Sequence, residues 1–249
     1  MPTPGLHLHP TADIAPRALL PGDPGRALAL AQVLLDAPRM CNHHRGLWGY
    51  TGTAADGGAL TIQATGMGGP SAAIVLEELA DLGVELAVRV GTATALDPAL
   101  APGALLGVTA ALADDGTSRA LGATGRLEGD PGLAAALAAA AGRAGVVAST
   151  DLFYARAGDA TARAAAWRAA GATAVDLETA ALLAVAGRRG IRAGSLLAVA
   201  ATADGRHLDA DGAAAAGLAL GAAAGRALGL PESADDAARA AAPGSGEAA

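Results

Sequence analysis

A short segment rich in proline and glycine is the first place in this sequence that indicates anion chemistry. It reads PGDPGR at residues 21–26 and follows the apolar run at 18–20. The prolines make the turn rigid, and the glycines leave backbone N–H groups open to an oxyanion. Arg26 adds a positive charge where the next helix begins. The segment therefore predicts an anion-binding loop, and phosphate bound there as a co-substrate would indicate a phosphorolytic enzyme.

A second candidate for anion binding lies within an apolar predicted strand. Arg89 stands in that strand, and Gly91 and Thr92 follow it closely. Burying an arginine is costly unless an anion or a carboxylate meets it, so a bound anion and a structural ion pair are both compatible with the sequence. The carboxyl end of a strand is where ligands of α/β proteins gather, which favours the anion. Arg26, Arg89 and Thr92 are predicted to hold a phosphate together.

Three acidic residues follow predicted strands and could contact a sugar or a base. Asp176 and Glu178 flank Leu177 where a strand meets a helix, and their carboxylates could accept hydrogen bonds from sugar hydroxyls. Acids at the start of a helix are also favoured by its dipole, which is an equally good explanation. Asp204 follows another apolar strand, but Ala-Asp-Gly is also a common turn composition. The residues alone leave both alternatives open for each acid.

The arrangement of elements along the chain predicts an α/β protein, because strand-like and helix-like segments alternate. The 249 residues fit a single domain over 1–230, and the Ala-, Ser-, Gly- and acid-rich segment 231–249 is predicted to be a mobile tail. The predicted strands are 17–20, 47–53, 59–65, 86–91, 104–111, 146–150, 174–177 and 195–201. The predicted helices are 24–35, 71–82, 132–143, 159–170, 178–189 and 213–228.

Composition argues against several classes of function. The formal net charge is -7 and all 17 permanently positive side chains are arginines spread along the chain, so no nucleic-acid surface is indicated. Cys41 is the only cysteine, and the five histidines lack metal-ligand spacing, so no disulfide and no metal site are predicted. No nucleotide-binding glycine motif and no G-x-S-x-G elbow occur. Without a signal peptide or membrane span, a soluble cytoplasmic protein is expected.

Together these segments resemble the family of the hexameric bacterial purine nucleoside phosphorylases and the uridine phosphorylases. Besides the loop at 21–26, the matching segments are RG at 45–46, GYTGT at 49–53, GMGGPS at 66–71, RVGT at 89–92, DLFY at 151–154 and DLE at 176–178. Single glycine turns are weak signals, but this many in the family's order is specific. The resemblance implies a three-layer α/β/α sandwich with a mixed central sheet. It also implies a hexamer, a trimer of dimers, with active sites shared between subunits.

The resemblance also implies roles for individual residues. The matched phosphate ligands are Gly22, Arg26, Arg89 and Thr92, with Arg45 reaching the phosphate from the neighbouring subunit. His7, preferred over His9, would come from that neighbour to the ribose 5′-hydroxyl. The matched nucleoside contacts are Met67 and Glu178 at the ribose, Phe153 at the base, and Asp176 and Leu177 where the family usually has Glu and Met. Asp204 stands where the purine branch has the catalytic aspartate that protonates the base at N7.

The choice of base depends on two sets of residues that point in different directions. The uridine branch clamps uracil with Gln and Arg, where this chain has Ala157 and Asp159, so purines are favoured. Gly69, Thr92 and the run 75–83 look more like the uridine branch. The prediction is a phosphate-dependent phosphorylase that prefers purine nucleosides and needs no cofactor beyond inorganic phosphate. A uridine phosphorylase, a water-using nucleoside hydrolase of the same fold and a binding protein without catalysis are the alternatives.

Overall fold

The computed structural model describes residues 5–230, and the predicted mobile tail at 231–249 lies outside the described residues. Within that range the strands are β1 (Arg17–Leu20), β2 (Leu35–Asn42), β3 (Gly49–Ala54), β4 (Ala59–Gln63), β5 (Leu86–Ala95), β6 (Leu105–Asp114), β7 (Gly125–Glu128), β8 (Ala144–Thr150), β9 (Ala174–Asp176) and β10 (Arg192–Thr202). The helices are α1 (Pro24–Leu34), α2 (Gly69–Asp81), α3 (Gly116–Ala120), α4 (Pro131–Ala141), α5 (Ala157–Ala169), α6 (Thr179–Arg189) and α7 (Ala210–Ala227).

The strands form one mixed sheet in the order β10-β6-β8-β9-β5-β1-β4-β3-β2, with β7 paired to β6. β10 also pairs with β5, so β5, β10, β6, β8 and β9 close into a ring. β1 runs parallel to both β4 and β5, and β5 runs parallel to β10. β9 is antiparallel to β5, and β6 is antiparallel to β10. The parallel strands β1, β4 and β5 come from distant parts of the chain, and their carboxyl ends lie at the same edge of the sheet.

Helices cover both faces of this sheet. Helices α1, α4 and α7 pack on one face, and α2, α3 and α6 pack against each other on the opposite face. Successive side chains of a strand point to opposite faces, so Ala18 and Leu20 of β1 join one buried cluster whereas Leu19 joins the other. The predicted three-layer α/β/α sandwich with a mixed central sheet is therefore confirmed.

Aspartates begin four of the helices. Asp23, Asp115, Asp130 and Asp209 each accept a hydrogen bond from a backbone N–H in the first turn of α1, α3, α4 and α7. Such N-caps satisfy a helical N–H group that has no partner within the helix. Short acidic turns in the sequence therefore fix where these helices start. Among residues 5–230, no helix is long and apolar enough to cross a membrane.

Each predicted strand and helix corresponds to an observed one, but among residues 5–230 the strands β2 and β7, the helix α3 and a 3-10 turn at His44–Gly46 were not predicted. β2 lies at the end of the strand order and contains Pro38. Its register with β3 shifts twice, and Ala37 has a φ of 46°. Proline is tolerated at a sheet edge because the missing N–H need not join a ladder. The segment 35–42 forms a strand although it lacks the alternation of apolar and polar residues that predicts one.

Candidate active site

Strand register brings the loop at 21–26 beside two other candidate segments. β1 lies between β4 and β5, with Leu20 opposite Arg89. The loop after β1 therefore lies beside residues 90–91 of β5 and beside the loop that follows β4. A hydrogen bond from the Thr65 N–H to the Pro21 carbonyl joins the two loops at 2.8 Å. The predicted anion loop is thus held by the backbone of its neighbour.

The loop is packed tightly at Gly22. The Gly66 N–H donates to the Gly22 carbonyl at 3.1 Å, and a Cβ atom on Gly22 would lie 3.1 Å from the Gly66 carbonyl oxygen. At the other end of the loop, the Asp23 carboxylate accepts the Arg26 N–H at 2.7 Å. Because Asp23 occupies that helical N–H, an anion would be met by the Arg26 side chain and the open loop backbone.

The Arg26 guanidinium is half-buried and is not paired with an acid among residues 5–230. Its Nη1 lies 3.5 Å from the Val90 carbonyl, and its Nε lies 3.3 Å from where Gly217 would carry a Cβ atom. Within residues 5–230, no carboxylate oxygen lies within 4.0 Å of it. Burial lowers the pKa of Arg26, Asp23 opposes that shift, and the positive charge of Arg89 adds to it. A bound anion would relieve both the burial and the repulsion.

Arg89 is buried, with 3% of its surface exposed, and is paired with two carboxylates. Its Nε donates to Asp176 Oδ2 at 3.1 Å and its Nη2 to Glu178 Oε2 at 2.5 Å. The guanidinium packs on the backbone of Gly91, where a Cβ atom would lie 2.6 Å from Cζ. The structural ion pair that the sequence left open is present, and phosphate binding by Arg89 stays a prediction.

Asp176 reaches Arg89 because β9 runs antiparallel to the C-terminal half of β5 and leads the chain back along it. The Asp176 side chain is fully buried. Its oxygens accept the Ser149 hydroxyl at 2.6 Å, the Thr179 hydroxyl at 2.6 Å and the Thr179 N–H at 3.1 Å. Its contacts in this structure are with protein donors, and its predicted ribose contact stays a prediction.

Glu178 connects Arg89 to the loop that begins α2. Its Oε1 accepts the Gly68 N–H at 2.7 Å, and Gly68 has a φ of 86°, a conformation that favours glycine. Met67 next to it is 85% exposed, so its thioether side chain is free to meet a ligand. Leu177 and Thr92 are half-buried. The Glu178 carboxylate can accept hydrogen bonds from hydroxyls, and Met67 and Leu177 offer apolar surface. That combination suits a sugar ring.

Asp204 lies in an exposed turn after β10. Its carboxylate accepts hydrogen bonds from the Thr202 hydroxyl and from Arg206 Nε, the latter at 3.0 Å. The Thr202 hydroxyl holds the pKa of Asp204 below its ordinary value; burial opposes the shift and Arg206 reinforces it. Asp204 is therefore ionised at neutral pH in this conformation. It could donate a proton only after these two contacts change and the carboxylate takes up a proton.

The candidate base-contacting residues lie between β8 and α5. Phe153 is 64% exposed and meets Tyr154 edge to face, with ring centroids 4.9 Å apart. Ala157 and Asp159, in the first turn of α5, are exposed. Two aromatic rings left in solvent are an unusual apolar surface in a chain with five aromatic side chains. They offer a face on which a planar base could stack.

His7 and Arg45 lie on one surface. His44 Nδ1 lies 3.0 Å from the His7 carbonyl, and the His44 ring stacks on His9 with centroids 3.8 Å apart. Arg45, next in sequence, is exposed and has a φ of 58°, which is uncommon for a residue with a side chain. His7 itself is bound by Glu78, with Nδ1 and Oε1 2.7 Å apart. Glu78 was not predicted as a site residue, because nothing in its sequence context distinguishes it from a surface acid.

The structure thus groups some candidates and separates others. One connected set contains Gly22, Arg26, Arg89, Asp176 and Glu178. No hydrogen bond or ion pair within the described part of the chain links that set to the side chains of His7, Arg45, Phe153 or Asp204. The Ser149 and Thr179 hydroxyls, which hold Asp176, were not predicted, because only the fold brings them to it.

Comparisons with known proteins identify the family of this chain. A family model described as the phosphorylase superfamily matches residues 16–230. The uridine phosphorylase of Treponema pallidum (strain Nichols) is 38% identical over 108 residues, which are 43% of this chain and 41% of that protein. The DeoD-type purine nucleoside phosphorylase of Streptococcus pyogenes serotype M5 (strain Manfredo) is 47% identical over 87 residues, which are 34% and 36%.

A similar enzyme, the DeoD-type purine nucleoside phosphorylase of Geobacillus kaustophilus (strain HTA426), is 45% identical over 89 residues, 35% of this chain and 37% of the relative. The chain therefore spans about two fifths of the length of these relatives in each match. The relatives are divided between purine and uridine enzymes. The resemblance carried by the motifs is confirmed, and the chain belongs to the phosphorylase superfamily.

Proposed function

We propose that this protein is a nucleoside phosphorylase that cleaves the N-glycosidic bond of a ribonucleoside with inorganic phosphate, giving free base and ribose 1-phosphate. The Arg26 guanidinium carries this proposal, because it is half-buried beside a second arginine and has no carboxylate partner among residues 5–230. A positive charge that is partly removed from water and lies beside another positive charge is unfavourable unless an anion meets it. The open loop backbone beside it suits an oxyanion.

The charges of one chain do not suffice for a phosphate dianion. Arg26 and Arg89 bring two positive charges, and Asp176 and Glu178 bring two negative charges. We propose that Arg45 of a neighbouring subunit supplies the missing positive charge. Its exposure on the surface shared with His7 supports a shared site, and hence a homo-oligomer such as a hexamer.

The distance between His7 and the proposed ribose position of the same chain also supports a shared site. Glu78, which binds it, lies ten residues beyond Gly68 along α2. At 1.5 Å per residue, that separation is about 15 Å. Gly68 touches Glu178, which we place at the ribose. His7 thus lies too far along the helix to reach that ribose, and a nucleoside contact of His7 would be in another subunit's site.

In the proposed reaction a phosphate oxygen forms a bond to C1′ while the C1′–N bond breaks and its electron pair passes to the base. The site must hold the dianion below a sugar that gains positive charge, and stabilise the departing base. Gly22, Arg26, Arg89 and Thr92 serve the phosphate. Glu178 and Met67 contact the ribose, and Asp176 and Leu177 are the further contacts of the nucleoside.

We propose that purine nucleosides are preferred. Phe153 packs on the base, and Asp204 gives its proton to N7 as the purine leaves. General-acid help of this kind is worth about a hundredfold to ten-thousandfold. Because Thr202 and Arg206 keep Asp204 ionised, the bound purine has to replace those contacts, and Asp204 has to take up a proton from solvent, before it can protonate N7. Exposed Ala157 and Asp159 provide no uracil clamp, which argues against the uridine alternative.

The decisive experiment incubates the pure protein with inosine, adenosine and uridine, each with and without phosphate, and measures free base and ribose 1-phosphate. We expect turnover with phosphate only, faster for the purines. Base release without phosphate would indicate the hydrolase. Tight nucleoside binding without turnover would indicate a binding protein, and faster turnover of uridine would indicate the uridine alternative.

Two variants separate the phosphate site from general effects on the fold. Arg26→Gln is expected to raise the KM for phosphate at least tenfold. Arg226→Gln is the control, because Arg226 lies in the last turn of α7 and contacts the Ala140 carbonyl. An equal effect of both substitutions would refute the role given to Arg26.

A further inference from the structure

Glu78 organises the segment that carries His7. Its two carboxylate oxygens accept the His7 N–H, both at 3.1 Å, and the Leu8 N–H at 2.7 Å. The same carboxylate lies 2.7 Å from His7 Nδ1. A Cβ atom on Gly5 would lie 2.1 Å from Glu78 Oε2, so the chain passes close over the acid. One side chain of α2 thus binds both the backbone and the ring of this segment.

These contacts determine which ring nitrogen of His7 carries the proton. Partial burial would raise the pKa of Glu78, but the hydrogen bonds from the His7 ring and from the Leu8 and His7 N–H groups outweigh it, and the pKa lies below its ordinary value. Glu78 is therefore an ionised carboxylate at neutral pH and can only accept hydrogen bonds. Nδ1 must carry a hydrogen to face it. In the neutral ring, Nε2 is then an acceptor.

We propose that Glu78 is a positioning residue that presents His7 Nε2 as a hydrogen-bond acceptor to the 5′-hydroxyl of a nucleoside in the neighbouring subunit's site. This inference rests on the proposed function. It predicts that the substrates are nucleosides with a free 5′-hydroxyl. A 5′-deoxy or 5′-thioether sugar has no O–H group at that position to donate to Nε2. A site built to bond a hydroxyl discriminates against analogues that lack it, since its own polar group is left without a partner.

Glu78→Gln tests this with little change of shape. The amide has one oxygen in place of two and an NH2 group that donates, so it no longer fixes the hydrogen on Nδ1. The measured quantity is the ratio of kcat/KM for a nucleoside to kcat/KM for its 5′-deoxy analogue, with adenosine and 5′-deoxyadenosine or the corresponding uridine pair. We expect the variant to lower this ratio about three- to tenfold, the worth of one hydrogen bond. The loss should come from the 5′-hydroxyl substrate.

Glu77→Gln is the matched control. Glu77 is the preceding residue of α2, and its carboxylate pairs with Arg189 at 3.0 Å on the surface. The ratio should not change in this variant. His7→Ala should lower the ratio as Glu78→Gln does, and combining the two should lower it no further, because Glu78 acts through His7.

The outcomes distinguish this inference from the proposed function. If the wild-type protein phosphorolyses neither nucleoside, the proposed function is wrong and the inference falls with it. If it phosphorolyses both and Glu78→Gln leaves the ratio unchanged, phosphorolysis stands and the role of Glu78 is refuted. A melting temperature equal to that of the control variant, with a changed ratio, supports positioning; a fall in both substrates' kcat/KM at constant ratio means that Glu78 only docks the segment.

Discussion

Replacing Arg89 by methionine should destabilise the protein strongly and in a pH-dependent way. The side chains of Arg89, Asp176 and Glu178 are 4%, 0% and 8% exposed. Methionine fills similar space but leaves two buried carboxylates without a counter-charge. Breaking a buried ion pair costs about 3–5 kcal/mol. For a domain of this size that lowers the melting temperature by about 6–20 °C, at roughly 2–4 °C per kcal/mol.

The pH dependence has a definite sign. Without Arg89, burial and mutual repulsion raise the pKa of at least one of the two carboxyls above its unfolded value. For an acid with a raised pKa, the folded state is favoured when the group is protonated, and that advantage is lost as the pH rises through the folded pKa. The loss of folding stability of Arg89→Met relative to wild type should therefore be smaller at pH 5 than at pH 8.

The assay is thermal unfolding of wild type and variant at both pH values, with Arg192→Met as the control. Arg192 is also paired with an acid, Asp130, but its side chain is 61% exposed. Exposed pairs contribute about 0–1 kcal/mol, so the control should change little. If the melting temperature of Arg89→Met falls by no more than that of Arg192→Met at both pH values, the predicted contribution of the buried ion pair to stability is refuted.

Gly91→Ala reaches the same ion pair from the backbone side. Its Cβ would lie 2.6 Å from Arg89 Cζ, so the guanidinium has to move away from its carboxylates. The expected loss of stability is smaller than that of Arg89→Met, because the guanidinium ends a long side chain and keeps its positive charge near the two acids. Gly187→Ala is the control, because Gly187 is exposed within α6 with nothing within 4 Å of a Cβ, and it should stabilise by about 0.5–1 kcal/mol. Equal melting temperatures of the two variants would contradict the predicted clash.

Three further predictions concern single ionisable groups. Burial raises the pKa of Cys41 to about 12, so its thiol should react with a disulfide reagent at pH 8 only after unfolding; rapid reaction of the folded protein would contradict this. The Arg17 hydrogen bond lowers the pKa of Asp56 to about 2, so its stabilising contribution should be present above pH 4 and lost between pH 4 and 2, and an NMR titration should show Arg17→Gln restoring an ordinary pKa. Thr202→Val should raise the pKa of Asp204 in the same titration, since the Thr202 hydroxyl is the main cause of its lowering; an unchanged value would show that Arg206 dominates.

Sequence patterns predicted most strands and helices because local chemistry determines them. The Asp-Pro-Gly turn at 23–25 and the similar turn at 130–132 each place an N-cap directly before a helix. The apolar strands β5 and β10 are buried on both faces, so they are nearly continuous hydrophobic runs. β2 and α3 were missed because one is an exposed, irregular edge strand and the other is a helix of five residues.

The sequence by itself determined that a proline- and glycine-rich loop, an arginine within an apolar strand and a strand-end pair of acids occur in one chain, and their order indicated the family. Only the tertiary structure decided that Arg89 is bound by Asp176 and Glu178, and that Arg26 is not paired with an acid among residues 5–230. The acids lie 87 and 89 residues from Arg89. Spacing of that kind carries no signal, because the antiparallel return of β9 along β5, which no local pattern encodes, brings the charges together.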